Sequence, residues 1–356
     1  MLVYFDNAST TRVHERVAAV MTDVMLRDYA NPSSSHAPGR RARQILEESR
    51  AAVAAALGAA PKELFFTSGG TEADNWALIG AAHLQQHKGR HILSSAAEHD
   101  AVRRPLEYLK SQGWEVTFLS PGKDGAISLE DFSAALREDT VLASFMLVNN
   151  ETGAINPIPE MTRLIASRRL PALFHCDAVQ GFMKVPFTAK SLGADLISVS
   201  AHKIHGPKGI GAQYVRQGLR LPPLLRGGGQ EGEARAGTES LPAIAGFAEA
   251  VRLAQAGRQE AEAHVAALRK RAVEKLTAAF PECVVISRGG SPYILSFSLP
   301  GYKSEVLLNI LDANGVCVSK SSACKRGARS HVLEAMRLPP AVIDGALRVS
   351  FSAENT

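Results

Sequence analysis

Cysteine is scarce in this chain, and what there is stands far apart. Cys176, Cys283, Cys317 and Cys324 form no CxxC pair. That argues against a disulfide framework and against a zinc site, so no metal is expected, and it suits a reducing compartment such as the cytoplasm. One of the four can still be a reactive thiol. No stretch of about 18 apolar residues occurs, so nothing reads as a membrane span. No five like charges stand together, so the net charge of +5 is spread out. A nucleic-acid binder would gather its basic residues on one face, and that class is not expected here. The opening Met1 to Asp6 is too short and too soon acidic for a signal peptide. Internal repeats and low-complexity tracts are lacking too.

What is present is the make-up of a folded protein, 46% hydrophobic and 21% charged. A length of 356 residues suggests about two domains. The N-terminal 60 residues read as two helices, one carrying Val13, Val17, Val20 and Val24, the other running from Arg40 to Leu57 with Gly58 as its C-cap. From residue 62 the rhythm changes. Short apolar runs recur at Glu63–Thr67, His91–Ser94, Val116–Leu119, Val141–Val148, Ala172–Cys176, Leu196–Val199 and Gly211–Val215, most of them separated by helical stretches. Such alternation predicts an α/β fold, with a mainly parallel seven-stranded sheet flanked by helices. Beyond a helical stretch from Leu241 to Phe280, with Val265, Leu268, Ala272 and Leu276 as a core stripe, strands and helices continue in a smaller α+β unit. The expected division is a large domain over 15–250 and a small domain made of 1–14 with 251–356.

In a parallel sheet, ligands bind outside the carboxyl ends of the strands. Those ends are chemically loaded. Thr67-Ser-Gly-Gly-Thr-Glu72 opens a helix, where glycines and a helix N-terminus make an anion site; Thr71 with Asp74 can equally be a capping box. Glu98-His99, Asn149-Asn-Glu-Thr-Gly153, His175-Cys-Asp-Ala-Val-Gln180 and Ser200-Ala-His-Lys203 end four further runs. Singly, His99 reads as a helix cap, Asp177 as a structural acid, Gln180 as a surface amide and Lys203 as a solvated loop lysine. Their gathering at the ends of one sheet points to a site, and a lysine just past a buried strand can serve as an amine nucleophile.

These segments, with Asp6-Asn-Ala-Ser-Thr-Thr11, Asn31-Pro-Ser, Gly206-Pro-Lys-Gly209, Arg235-Ala-Gly-Thr238 and Ser321-Ser-Ala-Cys324, stand in the order found in the cysteine desulfurases. The chain resembles that family of class V pyridoxal-phosphate enzymes from residue 6 to Arg348. Ser-x-His-Lys followed by Gly-Pro-Lys-Gly marks the group, and Ser-Ala-Cys near the C-terminus marks the desulfurases within it. The resemblance implies pyridoxal 5'-phosphate carried as a Schiff base on Lys203, Asp177 at the pyridine nitrogen, Gln180 at the ring phenolic oxygen, and His99 stacked on the ring and moving protons. It further implies a phosphate held by Gly70, Thr71, Ser200 and His202, Asn150 beside the ring, and a substrate carboxylate taken by Asn31 and Arg348. Thr238 would reach the neighbouring subunit's phosphate, which implies a homodimer. L-cysteine would give L-alanine, with Cys324 attacking the substrate sulfur as a thiolate, becoming a persulfide and handing the sulfur to an acceptor protein.

A free cysteine is usually a small buried hydrophobe. Around Cys324, however, stand Ser321, Ser322, Lys325, Arg326 and Arg329, three of them cations that favour a thiolate. Cys176, Cys283 and Cys317 lie in apolar strand patterns and are expected to be inert. The chain departs from the family in a short, basic segment after Cys324, in Ala201 where glycine is common, and in stopping at Thr356, where relatives continue into a final helix. The alternatives are another class V reaction, such as transamination or selenocysteine lysis, and a non-catalytic scaffold.

Overall fold

The computed structural model describes residues 2–320 and 329–356. Its strands are, in chain order, β1 (Val3–Tyr4), β2 (Leu64–Thr67), β3 (His91–Ser95), β4 (Glu115–Leu119), β5 (Thr140–Met146), β6 (Leu173–Asp177), β7 (Leu196–Ser200), β8 (Gly211–Val215), β9 (Val284–Val285), β10 (Ile294–Ser298), β11 (Val316–Cys317), β12 (Ser319–Lys320) and β13 (Ala346–Ser350). The seven strands β2 to β8 form one sheet in the order β2-β8-β7-β6-β5-β3-β4. Only β8 runs against its neighbours. Each of the seven apolar runs expected from the sequence is one of these strands, and the mixed α/β class holds.

Strands β5, β6 and β7 are buried along their whole length. That explains their near-continuous apolar runs, since a parallel strand covered on both faces has no wet side to alternate with. On one face Leu142, Leu173 and Leu196 meet Trp76, Leu78, Leu106 and Leu109 from the helices Gly70–Gln85 and Asp100–Ser111. On the other, Phe145 and Phe174 join Val17, Val53 and Phe247 from the helices Glu15–Arg27, Ala37–Ala56 and Leu241–Ala256. Fully buried side chains of this size contribute roughly 1.5–3 kcal/mol each.

Two smaller sheets carry the C-terminal part. The order β12-β13-β10-β9 is antiparallel throughout, and β1 pairs in parallel with β11. Val265, Leu295, Phe297, Leu347 and Phe351 form a core there, with Leu268, Ala272 and Leu276 packed against it. The helical stretch after Leu241 is broken at Gly257 into Leu241–Ala256 and Arg258–Ala279. No helix among the described residues is long and apolar enough to cross a membrane.

The feature that matters for function is the edge where β2, β3, β5, β6 and β7 end. The N-terminal strap crosses this edge. Thr11 N–H donates to His202 O at 3.0 Å, Asn7 Nδ2 donates to Ser350 O at 2.9 Å, and Ala8 N–H donates to Ser350 Oγ at 2.8 Å. Residues far apart in sequence thereby close over one hollow.

Candidate active site

The hollow is a cavity of about 670 Å³. Its walls include Gly70, Thr71, His99, Asn150, Asp177, Gln180, Ser200, His202, Lys203 and Arg348, ten of the residues singled out from the sequence.

At one corner the helix Gly70–Gln85 begins, two residues earlier than its sequence pattern suggests. Its N-cap, Gly69, offers no side chain to the first-turn amides. Gly70 is required by space: a Cβ there would come within 2.7 Å of Val179 Cγ2. Ser200 Oγ is buried beside it without a partner among the described residues. Burial of Glu72 raises its carboxyl, but Arg235 at 2.8 Å and Ser68 outweigh that and hold it below its usual value. The one acid of this first turn is thus neutralised, and the corner remains suited to an anion.

Lys203 sits in a short turn directly after β7. Its ammonium donates to Ala8 O at 2.6 Å and Ser9 O at 2.7 Å. Gln180 Nε2 donates to the same Ala8 O at 2.7 Å. His202 accepts or donates at Nδ1 with Thr10 Oγ1 at 3.2 Å. Burial first, and then the Lys203 charge, depress His202 to about 4, so it is neutral.

Asp177, the last residue of β6, accepts from Val179 N–H at 2.9 Å. Burial and then the nearby Asp74 carboxyl raise it to about 7. His175 lies on the same face of β6 two residues earlier, between Ser144 Oγ at 2.8 Å and Ser198 Oγ at 2.9 Å, with Asp74 Oδ1 at 3.4 Å. Burial holds His175 down at about 4 and pushes Asp74 up to about 7. Asp74 is therefore no helix cap. With the helix starting at Gly70, its side chain turns into the protein and is 1% exposed.

His99 is both the helix cap and a cavity residue. Its Nδ1 accepts from Ala101 N–H at 3.1 Å, which leaves the ring proton on Nε2. Burial among the surrounding groups lowers its pKa, against the pull of Asp177 and with the push of Lys203.

Across the cavity Arg348 projects from β13. Its Nη2 donates to Asp6 Oδ1 at 2.7 Å and to Ser9 Oγ at 2.6 Å, and its Nη1 donates to Asn150 O at 2.9 Å. Its Nε and Asn150 Oδ1 are buried without partners among the described residues. Glu151, next to Asn150, accepts from Ser330 Oγ, and burial raises it to about 7.

Three of the expected residues are not brought in. Asn31 is exposed and accepts from Ser33 N–H at 2.8 Å, capping its own turn. Thr238 is exposed and is not part of the cavity wall. Cys324 lies outside the described residues. Conversely, Asp6, Asp74, His175 and Lys184 were not singled out, although each touches or backs a site residue. Asp6 and His175 belong to motifs quoted from the sequence and Asp74 to the capping-box reading; Lys184 carried no local signal. Cys176 is fully buried, and burial pushes its thiol well above the usual range.

Comparison with known proteins agrees with this geometry. The aminotransferase class-V profile matches residues 3–356. Cysteine desulfurase IscS of Methanosarcina thermophila is 40% identical, covering 99% of this chain and 88% of that protein. A solved NifS-like protein superposes with a TM-score of 0.95 at 38% identity, over 100% of this chain and 95% of the other. SspA, solved in complex with cysteine, superposes with a TM-score of 0.86 at 30% identity, over 99% and 100% of the two chains. With the profile spanning nearly every residue, the chain belongs to the aminotransferase class-V family.

Proposed function

We propose that this chain is a pyridoxal-phosphate-dependent cysteine desulfurase that converts L-cysteine to L-alanine and places the sulfur on Cys324. The observation that carries the reading is the meeting of Lys203, Asp177, His99 and the Gly70 corner in one cavity. The lining fits the cofactor: an uncapped helix start and an orphaned Ser200 Oγ suit its phosphate, and an acid and an amine stand apart for its ring nitrogen and aldehyde. Gly70, Thr71, Ser200 and His202 would hold the phosphate, Asp177 the ring nitrogen, Gln180 the ring oxygen, and Lys203 the aldehyde carbon. Bound there, pyridoxal phosphate supplies an electron sink for the charge left when the substrate Cα loses its proton.

The protein's own groups do the rest. Asp177, too buried to ionise readily alone, shares a proton with a basic partner and so keeps that partner charged. Lys203, as a free amine, would take the Cα proton. His99, neutral and protonated at Nε2, presents a donor in the cavity. Arg348 binds the substrate carboxylate beside Asn150. The Cys324 thiolate attacks the substrate sulfur. The Cβ–S bond breaks, its electron pair stays with the carbon fragment, which takes up a proton at Cβ and leaves as alanine once Cα is reprotonated, and the new S–S bond makes a persulfide.

Thr238 would reach the phosphate of the neighbouring subunit in a homodimer and Asn31 the substrate carboxylate, as the family likeness implies; both are exposed in the single chain. An acceptor protein takes the sulfur onward, and a thiolate nucleophile suits the reducing cytoplasm. The test is to incubate the coloured protein with L-cysteine and measure alanine and Cys324 persulfide together, with Cys324→Ala beside it. Both products are expected from the wild type and no persulfide at residue 324 from the variant, with alanine release collapsing. Cofactor-loaded wild type that yields neither product refutes the proposal.

A further inference from the structure

We propose that Lys184, unused in the scheme above, is a positioning residue that fixes the Gln180 amide with its NH2 group toward the cofactor ring. The inference rests on the functional reading just given and assigns a role that reading leaves open.

Lys184 lies one turn beyond Gln180. Its Nζ approaches Gln180 Oε1 at 3.4 Å, while Gln180 Nε2 donates to Ala8 O at 2.7 Å. A carbonyl only accepts, so Ala8 O takes the NH2 side of the amide and turns Oε1 to Lys184, whose nitrogen has hydrogens to donate whether charged or neutral. The flipped amide would set oxygen against Ala8 O and NH2 against the ammonium. In the observed orientation one Nε2 hydrogen goes to Ala8, and the other remains for an acceptor in the cavity.

The lysine is held at a cost that packing does not explain. It is 8% exposed, and no carboxylate pairs with it among the described residues. The Tyr293 ring lies 5.9 Å from Nζ at the centroid. Lys203 and Arg348 repel it, and burial first and these two charges after it lower it to about 7. It shares with Lys203 the wall of a second cavity of about 330 Å³, across which stand His14, His205, Arg258 and Glu354. A buried lysine held near two other basic side chains is expected where its donors and charge act on a neighbour rather than on stability.

Both effects have the same sign. A hydrogen bond donated to the ring oxygen favours its anionic form, and so does a nearby positive charge. The test is the pH midpoint of the absorbance change of the bound cofactor. Lys184→Met is expected to raise it by about one unit, and Gln180→Ala to raise it as well. The double variant is expected to shift less than the sum, because one change acts through the other. Lys184→Gln keeps a donor for Oε1 and loses only the charge, so its rise is smaller but measurable. Should Lys184→Met fail to fold, Lys184→Gln decides. A folded, coloured variant at Lys184 that titrates like the wild type overturns the inference, and so does full additivity with Gln180→Ala. A wild type that takes up no cofactor overturns the functional reading and this inference with it.

Discussion

Arg348→Lys keeps the positive charge of the carboxylate-binding residue and removes its fork. In the structure the guanidinium is 2% exposed and already serves Asp6 Oδ1, Ser9 Oγ and Asn150 O, with its Nε still unclaimed among the described residues. An ammonium has only as many donors as those three acceptors take, which leaves none for a substrate carboxylate. The loss is one charge-assisted hydrogen bond, about 1.5–3 kcal/mol. That corresponds to a fall in kcat/KM of about 10- to 150-fold. The carboxylate does not react, so its contact acts equally on bound substrate and transition state, and the fall is expected mainly in KM. The assay is steady-state alanine formation over a range of cysteine concentrations, with cofactor absorbance confirming a loaded site. A coloured variant whose kcat/KM stays within about threefold of wild type refutes the role, as does a loss confined to kcat.

Two further outcomes test the frame of the site. Arg50 forms a buried pair with Glu231 at 2.7 Å and 2.8 Å, and Glu231 also accepts from Phe66 N–H. Arg50→Met is expected to cost about 3–5 kcal/mol in urea unfolding. Adding Glu231→Gln, which keeps an acceptor for Phe66, should recover most of it; a double variant no better than the single contradicts the argument. His175 has its pKa held at about 4 in the fold against 6.5 ordinarily, so its contribution is fully present above pH 6.5 and is lost as pH falls toward 4. The stability gap between wild type and His175→Gln is expected to shrink by about 1.4 kcal/mol per pH unit across that window. Unfolding midpoints at both ends of the window measure it, and a constant gap contradicts it.

The sequence was most readable where a residue's role is local. The runs that became β5, β6 and β7 are apolar because both faces are covered, and periodicity reports that directly. The site was legible because a parallel sheet delivers its strand ends to one edge, so Asp177, Ser200 and Lys203 could be gathered before any contact was known. What failed was phase and distance. Asp74 reads as a cap if the helix starts at Glu72, but a start at Gly70 turns it inward. Nothing near Asp6 announces Arg348, and nothing near Arg50 announces Glu231, because each pair is closed by the whole fold. Lys184 carries no signal of its own in the sequence, since burial of a charge leaves no mark in its neighbours' hydropathy. His99 was offered a choice between cap and cavity residue, and the ring does both with different nitrogens.

The N-terminal strap has a consequence for how the protein is made. Ala8 O receives Lys203 and Gln180, Asp6 receives Arg348, and the strap itself is hydrogen-bonded to Ser350. Residues 6–8 therefore wait for residues 348–350 before they settle. Until β13 has emerged, Lys203 has neither of its carbonyl partners fixed in place. A chain that has not yet reached β13 is thus poorly built to capture an aldehyde cofactor, and loading becomes an event that follows the emergence of that strand.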